Sequence, residues 1–251
     1  MSSSSNLVLL SGQMALSQAM DVVANNIANA STTGFKREGI AFETLLSRGA
    51  ITNTKTASNF VYDRTTYRDT GPGPIAGTGN PLDLAIEGDG YFQVQMPDGS
   101  TGYTRAGSFQ LDTGGQIVTL AGFPLIADGG PVSIPDTVSQ INVSSDGFIS
   151  ARVDNGAALA QLGKINLVKF NNDQALQSAG NGVYTTKEAP QPVTENSAIK
   201  QGSLEQSNVE PVTEITNMIR IMRAYEQTSN MISKENERAN DAIARLVKSP
   251  S

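Results

Sequence analysis

Three acidic residues, Asp83, Glu87 and Asp89, are spaced closely enough in the sequence to suggest a carboxylate site. Paired carboxylates can act as general acid and base on a glycosidic bond, and clustered carboxylates can bind calcium. However, Asp89-Gly90 is typical of a turn between strands, and no calcium-binding loop pattern follows it. We therefore interpret Asp89-Gly90 as a turn and assign no catalytic or metal role to the three residues, and a carboxylate-based enzyme of the cell envelope stays open as an alternative function.

The composition narrows the chemistry further, because the 251 residues include no His, no Cys and no Trp. Without His, the chain lacks the most frequent general base and cannot form Ser-His-Asp or Cys-His nucleophile systems. Without Cys, it has neither disulfides nor thiolate metal sites. We assign no catalytic, cofactor-binding or metal-binding residues, and we expect that the chain is not an enzyme.

The charge pattern argues against two partner classes. The net charge is -6 and no Lys/Arg-rich run occurs, which disfavours nucleic acid. No uninterrupted run of about 18 apolar residues occurs, so we expect no membrane span. The first basic residue is Lys36, too late for the basic start of a signal peptide. We expect a chain that is either cytoplasmic or exported without cleavage.

Both ends of the chain show helical periodicity. Residues 7–30 carry one apolar stripe that ends before Gly34. Residues 209–247 carry two apolar heptad positions. The stripe near the N-terminus consists of Leu9, Leu16, Met20, Val23, Ile27 and Ala30. The first C-terminal position holds Ile215, Met222, Ser229, Asn236 and Ile243, and the second holds Met218, Tyr225, Ile232, Ala239 and Leu246.

The middle of the chain changes to a period of two. Apolar and polar residues alternate from Phe92 to Met96, and an Asp98-Gly99 turn follows, which predicts a hairpin. A second hairpin is predicted over residues 108–120, and further strands near 123–126, 140–143, 147–152, 163–170 and 183–186. The Gly- and Pro-rich stretch 71–80 lacks the Gly-Lys-Ser/Thr of a phosphate loop and is interpreted as linker.

These patterns predict an α+β fold in which N- and C-terminal helices pair as a coiled-coil-like domain beside a central all-β domain. We assign residues 1–46 to the N-terminal helix of an axial core domain and residues 47–80 to an extended linker. Residues 81–200 form the central β domain, and residues 201–251 supply the C-terminal helix of the axial core domain.

A single pair of long helices makes a thin core. About six apolar side chains are worth roughly 10 kcal/mol when fully buried, whereas ordering some 25 residues costs roughly 25–50 kcal/mol of backbone entropy before other packing is counted. We therefore expect helices that are marginally ordered in the monomer and pack against neighbouring subunits. The alternative is a self-contained helical hairpin, with the same side chains in its core.

Three segments resemble one family in order along the chain. The run from Val22 to Lys36, with its Ala-Asn-Asn-Ile-Ala-Asn core and Thr-Thr-Gly-Phe-Lys end, is similar to the N-terminal signature of flagellar basal-body rod and hook proteins. Residues 201–209 and the Arg223-Ala224-Tyr225-Glu226 run resemble the family's C-terminal region. Residues 82–94 and 103–109 resemble its β domain, with Arg105-Ala106-Gly107 in place of Arg-Asp-Gly.

The resemblance implies a structural subunit of the periplasmic rod. It implies unfolded export through the flagellar export apparatus, no cleaved signal peptide, and packing of terminal helices with other rod subunits. The length fits either a proximal or a distal rod protein of the family. The segment Gly77–Asp83, which leads into the β domain, resembles the proximal one more. The implied partners are the distal rod protein and the short proximal rod proteins. A secreted coiled-coil effector is a weaker alternative, because no basic amphipathic helix supports it. The subunit interface predicted from the stripes and the resemblance comprises Leu9, Leu16, Met20, Val23, Asn25, Asn26, Ile27, Asn29, Phe35, Ile215, Met218, Met222, Tyr225, Ile232, Ile243 and Leu246.

Overall fold

The computed structural model describes residues 2–47, 58–128, 130–135, 138–153, 159–193 and 197–247. Its order is one helix, nineteen strands among these residues, and a second long helix, which confirms the α+β class. The chain divides into two compact units. The helical unit comprises Met1–Ala28, Glu38–Asp69 and Glu210–Ser251, and the β unit comprises Asn29–Arg37 and Thr70–Val209.

The helical unit is built on α1 (Ser2–Ala28) and α2 (Pro211–Val247). The two helices contact each other and run antiparallel, since Asn6 donates to Asn236 at one end and Asn26 donates to Glu214 at the other, both at 3.4 Å. Both predicted terminal helices are therefore present. Whether they pack with coiled-coil geometry stays a prediction.

A long β-hairpin completes the helical unit. Strand β1 (Glu38–Ser47) pairs antiparallel with β2 (Ser58–Arg68), and the register shifts once, between Glu43 and Thr44. These strands lie where we expected the end of the N-terminal helix and the linker; residues 48–57 of that linker are outside the described residues. The composition of the second strand favours this structure, because residues 60–67 are rich in aromatic and β-branched side chains.

The hairpin contacts α1 through both of its strands. An isolated two-stranded hairpin is marginally stable in water, so the helix supplies packing that the hairpin lacks. Within the hairpin, Tyr67 lies opposite Gly39, where a Cβ would come within 2.5 Å of the tyrosine ring. Arg68 also forms an ion pair with Glu38 at 3.7 Å.

The β unit consists of short strands joined by tight turns, as the spacing of turn residues predicts. Its largest sheet has four strands, in the spatial order Gln177–Gly180, Val183–Thr185, Thr101–Thr104 and Phe92–Gln95, and a second sheet has three, Val138–Val143, Phe148–Val153 and Leu159–Lys164. The strands are β3 (Ile75–Gly77), β4 (Leu84–Glu87), β5 (Phe92–Gln95), β6 (Thr101–Thr104), β7 (Phe109–Leu111), β8 (Ile117–Thr119), β9 (Ile126–Ala127), β10 (Gly130–Pro131), β11 (Val138–Val143), β12 (Phe148–Val153), β13 (Leu159–Lys164), β14 (Val168–Lys169), β15 (Gln177–Gly180), β16 (Val183–Thr185), β17 (Gln191–Pro192), β18 (Ala198–Gln201) and β19 (Ser203–Glu205).

Both predicted hairpins are confirmed, as β5–β6 and β7–β8. At the first turn, the Asp98 carboxylate accepts the amide and hydroxyl of Ser100 at 2.9 and 2.6 Å. These two hydrogen bonds lower the pKa of Asp98 because they favour its charged form.

Two apolar clusters fill the β unit. The larger is aliphatic with two phenylalanines, Phe92 and Phe109, whose rings meet edge to face at 5.4 Å. The smaller is aromatic, with Tyr103 and Tyr184 around Phe170 and Tyr91. Burial in this cluster raises the pKa of the Tyr103 phenol. The unit therefore has a core of its own.

The C-terminal boundary of the β unit differs from the expected one. Strands β18 and β19 pair with β4 and β3, so residues 201–209 belong to the β unit rather than to the C-terminal helix. Residues 29–37 also belong to this unit. Long-range strand pairing decides these boundaries, and no local period in the sequence reports it.

One described helical stretch meets the length and hydropathy of a membrane span. Residues Asn6–Ala28 have a mean hydropathy of 1.4, and 17% of this stretch is buried. We expected none, because we looked for an uninterrupted apolar run, and small polar residues interrupt this one. The same composition is found in core helices and in N-terminal signal sequences, so it assigns no membrane role.

A glycine-to-alanine pair tests the close packing of the β unit. At Gly107 a Cβ would overlap the carbonyl oxygen of Leu84, whose amide donates to the Gly107 carbonyl at 2.9 Å. At Gly77 the nearest atom to a Cβ lies 3.9 Å away. We expect Gly107→Ala to lower the free energy of unfolding by about 2–3 kcal/mol, and Gly77→Ala to leave it nearly unchanged. Thermal unfolding followed by circular dichroism measures both, and equal melting temperatures would contradict the prediction.

Candidate assembly site: terminal signatures and helix surfaces

The end of the N-terminal signature docks on the start of the C-terminal one within the β unit. The Gly34 amide donates to the backbone carbonyl of Glu205 at 2.8 Å. Gly34 has a φ of +68°, and a Cβ there would lie 2.5 Å from the backbone of Arg105 and Ala106. Both the left-handed conformation and the close approach require glycine. This accounts for the glycine of the Thr-Thr-Gly-Phe-Lys run.

A buried ion cluster joins three distant parts of the chain at this point. The Glu205 carboxylate accepts Lys36 Nζ at 2.6 Å through Oε1 and Arg105 Nη1 at 3.1 Å through Oε2. Glu205 is 1% exposed and Lys36 2%. Oε1 also accepts the Gly73 amide at 3.0 Å. The cluster therefore connects both terminal signatures to the β domain and to the segment that leads into it.

Each cation has a further partner, which lowers the cost of burying it. Lys36 Nζ donates to the Gly71 carbonyl at 2.9 Å, and Arg105 Nη2 donates to the Gly88 carbonyl at 3.0 Å. The Arg105 guanidinium also lies 5.4 Å from the centre of the Tyr91 ring. A buried charge is tolerated when it is paired and hydrogen-bonded in this way.

Asn208 closes the same junction. Its side-chain oxygen accepts the Arg37 amide at 2.6 Å, and its side-chain nitrogen donates to the Gly71 carbonyl at 3.0 Å. Its own amide donates to the Phe35 carbonyl at 3.4 Å. One asparagine of the C-terminal signature therefore positions the backbone of residues 35–37.

In the helical unit, Asn26 has a comparable role. It is fully buried, and its amide group exchanges two hydrogen bonds with the backbone of Glu38, at 2.8 and 2.9 Å. It also donates to the buried Glu214 carboxylate of α2. The Asn26 side chain thus pairs with the Glu38 backbone as a neighbouring strand would, and it closes the loop between α1 and β1. These hydrogen bonds explain why a residue with poor helix propensity lies in the helix.

The predicted interface residues near the N-terminus divide by burial. Val23 and Asn26 are buried, and Asn25 is exposed. The half-buried ones are Leu9, Leu16, Met20, Ile27, Asn29 and Phe35. Among the side chains the structure describes here, most of this predicted stripe is therefore covered within the chain. A role of these residues in contacts between subunits stays a prediction.

The predicted residues of α2 lie on two different faces. Met218, Tyr225 and Ile232 are half-buried, on the face that packs against α1, together with Ile221 and Thr228. Ile215 and Met222 are exposed, on a second face about 90° around the helix at 100° per residue. The side chains of Ile243 and Leu246 lie outside the described residues.

The exposed faces also hold large apolar residues outside the predicted interface: Leu7, Leu10, Met14, Val212 and Ile219. We call Leu7, Leu10 and Met14 the α1 stripe, and they are 55%, 49% and 54% exposed. We call Val212, Ile215, Ile219 and Met222 the α2 stripe, and they are 46–79% exposed. The steps of three and four residues were visible in the sequence. Only the packing of α1 and α2 shows which of several apolar faces is left uncovered.

Of the three acidic residues Asp83, Glu87 and Asp89, the first is held in a turn by hydrogen bonds. The Asp83 carboxylate accepts Thr78 Oγ1 at 2.6 Å and the Asn80 side-chain nitrogen at 3.0 Å. Asp83 therefore closes the turn at residues 78–83, while Glu87 and Asp89 are exposed. Among the described residues, no group of three or more His, Cys, Asp or Glu side chains is placed to hold a metal ion.

Comparisons with known protein families point to one group. The model for flagella basal body rod proteins matches residues 7–36, the model for the flagellar hook protein FlgE/F/G D1 domain matches residues 85–151, and the model for the flagellar basal body rod FlgEFG protein C-terminal region matches residues 200–245. The first and third contain the segments that meet at the buried ion cluster.

Curated relatives agree over nearly the whole chain. The flagellar basal-body rod protein FlgF of Caulobacter vibrioides is 42% identical over 243 residues, which cover 95% of this chain and 96% of that protein. The rod protein FlgG of Buchnera aphidicola subsp. Acyrthosiphon pisum is 38% identical, over 87% of this chain and 90% of its own length. The FlgG of Caulobacter vibrioides is 35% identical, over 89% and 92%.

Removing the central carboxylate tests the ion cluster. We expect Glu205→Gln to lower the free energy of unfolding by about 3–5 kcal/mol, because it leaves the Lys36 and Arg105 charges buried without an anion. The exposed Glu87 provides the control, and Glu87→Gln should change stability by less than about 0.5 kcal/mol. Urea unfolding followed by circular dichroism measures both, and similar midpoints for the two variants would contradict the role of the cluster.

A second substitution tests the helical unit. Asn26→Ala removes the partners of the Glu38 backbone, at a cost of about 1–3 kcal/mol for each buried group left unpaired. We expect faster hydrogen exchange of the Glu38 amide and a lower melting temperature. Asn230→Ala, at an exposed position of α2, is the control. Unchanged exchange at Glu38 would show that the Asn26 side chain does not hold the loop.

Proposed function

This chain belongs to the flagellar basal-body rod protein family, and we propose that it is a proximal rod subunit of the FlgF type. In this role it is a structural component of the drive shaft and transmits torque through packed protein surfaces rather than performing a reaction. The observation that carries the proposal is the match over almost the full length to a FlgF, including both terminal signatures.

A comparison within one organism supports the proximal assignment. The FlgF of Caulobacter vibrioides is more similar to this chain, over a larger share of it, than the FlgG of the same bacterium. The distal rod role of FlgG is the second candidate, because FlgG proteins also match most of the chain. The two candidates predict the same mode of assembly and differ in their position along the rod.

Assembly through the terminal helices is supported by their surfaces. The structure leaves apolar side chains exposed on both helices, including the predicted interface residues Ile215 and Met222. Exposed apolar stripes of this kind mark protein–protein contacts. We propose that the predicted interface residues of both helices form the inner packing of the rod, and that the helices gain order when neighbouring subunits cover them.

The proposed route to the rod also follows from the family. The chain would be exported unfolded by the flagellar export apparatus, without cleavage of a signal peptide, and would assemble in the periplasm. Its partners would be the distal rod protein FlgG and the short proximal rod proteins. The absence of cysteine suits this route, since stray thiols would be exposed to oxidation after export.

Charge placed on the exposed face of α2 tests assembly. Ile215→Asp should leave the melting temperature of the purified chain nearly unchanged, because the side chain is 48% exposed. It should abolish incorporation into basal bodies and swimming, because a neighbouring subunit cannot bury the carboxylate. The matched control is Gln227→Asp, at an exposed site about 120° around the same helix from Ile215. Wild-type incorporation of both variants in isolated basal bodies would refute assembly through this face.

Deletion strains separate the proximal from the distal position. Host cells of this kind retain this chain but lack the second rod protein of the FlgF/FlgG pair. In these cells a proximal subunit should still enter the incomplete basal body, because it assembles first. A distal subunit should be lost from that fraction. Immunoblots of purified basal bodies give the answer, and loss of this chain would replace the FlgF assignment with FlgG.

A further inference from the structure

The β unit contains a cavity of about 340 Å³. Its lining comes from the turn between β11 and β12, from the end of β13 and the segment after it, from the end of β17 and from the start of β18. Small-molecule sites in proteins have volumes of roughly 300–1,000 Å³. The cavity therefore has room for a ligand of the size of an amino acid.

Backbone hydrogen bonds hold the walls of this cavity in place. The Ile165 amide donates to the Gly147 carbonyl, and the Ile199 amide donates to the Ser145 carbonyl, both at 2.9 Å. Ile165 and Ile199 are buried and belong to the larger apolar cluster of the β unit. A cavity with walls fixed in this way can bind a small ligand without the entropic cost of ordering its own loops.

Two side chains of opposite charge line the cavity, Lys164 and Asp146. Lys164 is half-buried, and its Nζ lies 5.0 Å from the centre of the Phe148 ring. Asp146 is exposed. Among the residues that the structure describes, neither of the two forms an ion pair, so they do not neutralise each other. The cavity therefore offers both a cation and an anion to a ligand.

Much of the remaining lining is already hydrogen-bonded or is apolar. The Ser197 hydroxyl donates to the Asp89 carbonyl at 2.6 Å, and the side-chain nitrogen of Asn166 donates to the Asp128 carboxylate. These two polar side chains need no ligand to complete their hydrogen bonds. The apolar part of the lining comes from Ile165, Leu167, Pro192, Val193 and Ile199.

The unlike charges select the class of ligand. A simple anion would be attracted by Lys164 but repelled by the carboxylate of Asp146, and a simple cation would meet the reverse. A neutral apolar molecule would remove both charges from water and give neither a partner, which costs free energy. A zwitterion supplies one partner to each charge, and an aliphatic chain attached to it can cover the apolar part of the lining.

We propose that this cavity binds an α-amino acid zwitterion that carries a short aliphatic chain. Asp146 accepts a hydrogen bond from the ligand ammonium, and Lys164 donates one to the ligand carboxylate. Charge-assisted hydrogen bonds of this kind are the stronger ones in proteins. The site lies within the β unit and does not depend on the proposed rod role.

Three matched small molecules test the ligand class in an NMR titration of the isotope-labelled full chain. Norleucine carries the zwitterion and an unbranched aliphatic chain, hexanoate lacks its amine, and pentylamine lacks its carboxylate. We expect norleucine to bind at least about tenfold more tightly than either, because each of the others loses one charge-assisted hydrogen bond. The amide signals that shift should be those of the cavity lining. No binding of norleucine, or equal binding of all three, would overturn the proposal.

Two substitutions remove one charge each from the cavity. Lys164→Met keeps an unbranched apolar side chain beside Phe148, and Asp146→Asn keeps the shape of the carboxyl group. Each should weaken norleucine binding at least about tenfold. Thermal unfolding shows whether each variant is folded, and either folded variant alone decides the outcome. The matched control is Lys169→Met, at an exposed lysine outside the cavity, which should bind norleucine as the unchanged chain does. Unchanged affinity in the folded cavity variants would refute the assignment of the two charges.

Two sources supply this ligand chemistry in the compartment proposed for the chain. One is free amino acids, and the other is the diamino acid of cell-wall peptides, whose side chain ends in a zwitterion. Cosedimentation of the full chain with purified cell-wall sacculi distinguishes them. Sedimentation that excess norleucine abolishes supports the site with a cell-wall peptide as its ligand. Norleucine binding without sedimentation supports the site with a free amino acid as its ligand.

Discussion

The β unit depends on the pairing of one buried charge, the carboxylate of Glu205. A carboxylate removed from water is costly unless cations and amides surround it, and here Lys36, Arg105 and the Gly73 amide do so. These partners are 169, 100 and 132 residues away from Glu205 along the chain. The cluster therefore forms only when both ends of the chain and its middle have come together, and the terminal signatures act as one structural element.

This arrangement gives the signatures a physical meaning beyond similarity. Gly34 permits a backbone approach that a side chain would block, and Asn208 positions the backbone of residues 35–37. Asn26 closes the loop from α1 into β1 with hydrogen bonds that a second strand would otherwise supply. Along the chain, α1 ends inside the first signature segment, and α2 begins just after the second. Both helices are therefore joined along the chain to segments that are fixed by specific buried contacts.

The helices themselves show the opposite character. Their contact with each other uses one face of α2, and apolar residues on the other side remain exposed. Burying such residues against a neighbour is favourable, whereas a monomer that exposes them gains no stability from them. The β unit has a core and buried hydrogen bonds of its own, whereas the helices carry exposed apolar stripes. This combination suits a subunit whose β unit folds by itself and whose helices complete their packing in an assembly.

The sequence by itself determined the α+β class, both terminal helices, the hairpins around Asp98 and residues 112–116, and the family. These features depend on local periods and turn residues, which a single chain displays directly. Only the tertiary structure decided the β1–β2 hairpin, the membership of residues 29–37 and 201–209 in the β unit, and the partners of Glu205. The membership of these two segments and the partners of Glu205 depend on contacts between parts far apart in the chain, for which the sequence carries no local pattern. Strands β1 and β2 are consecutive, but residues 40–46 show no period of two that would predict a strand. The exposure of the α2 stripe was also decided by the tertiary structure. Helix α2 has apolar residues on two faces, and only the position of α1 determines which face remains exposed.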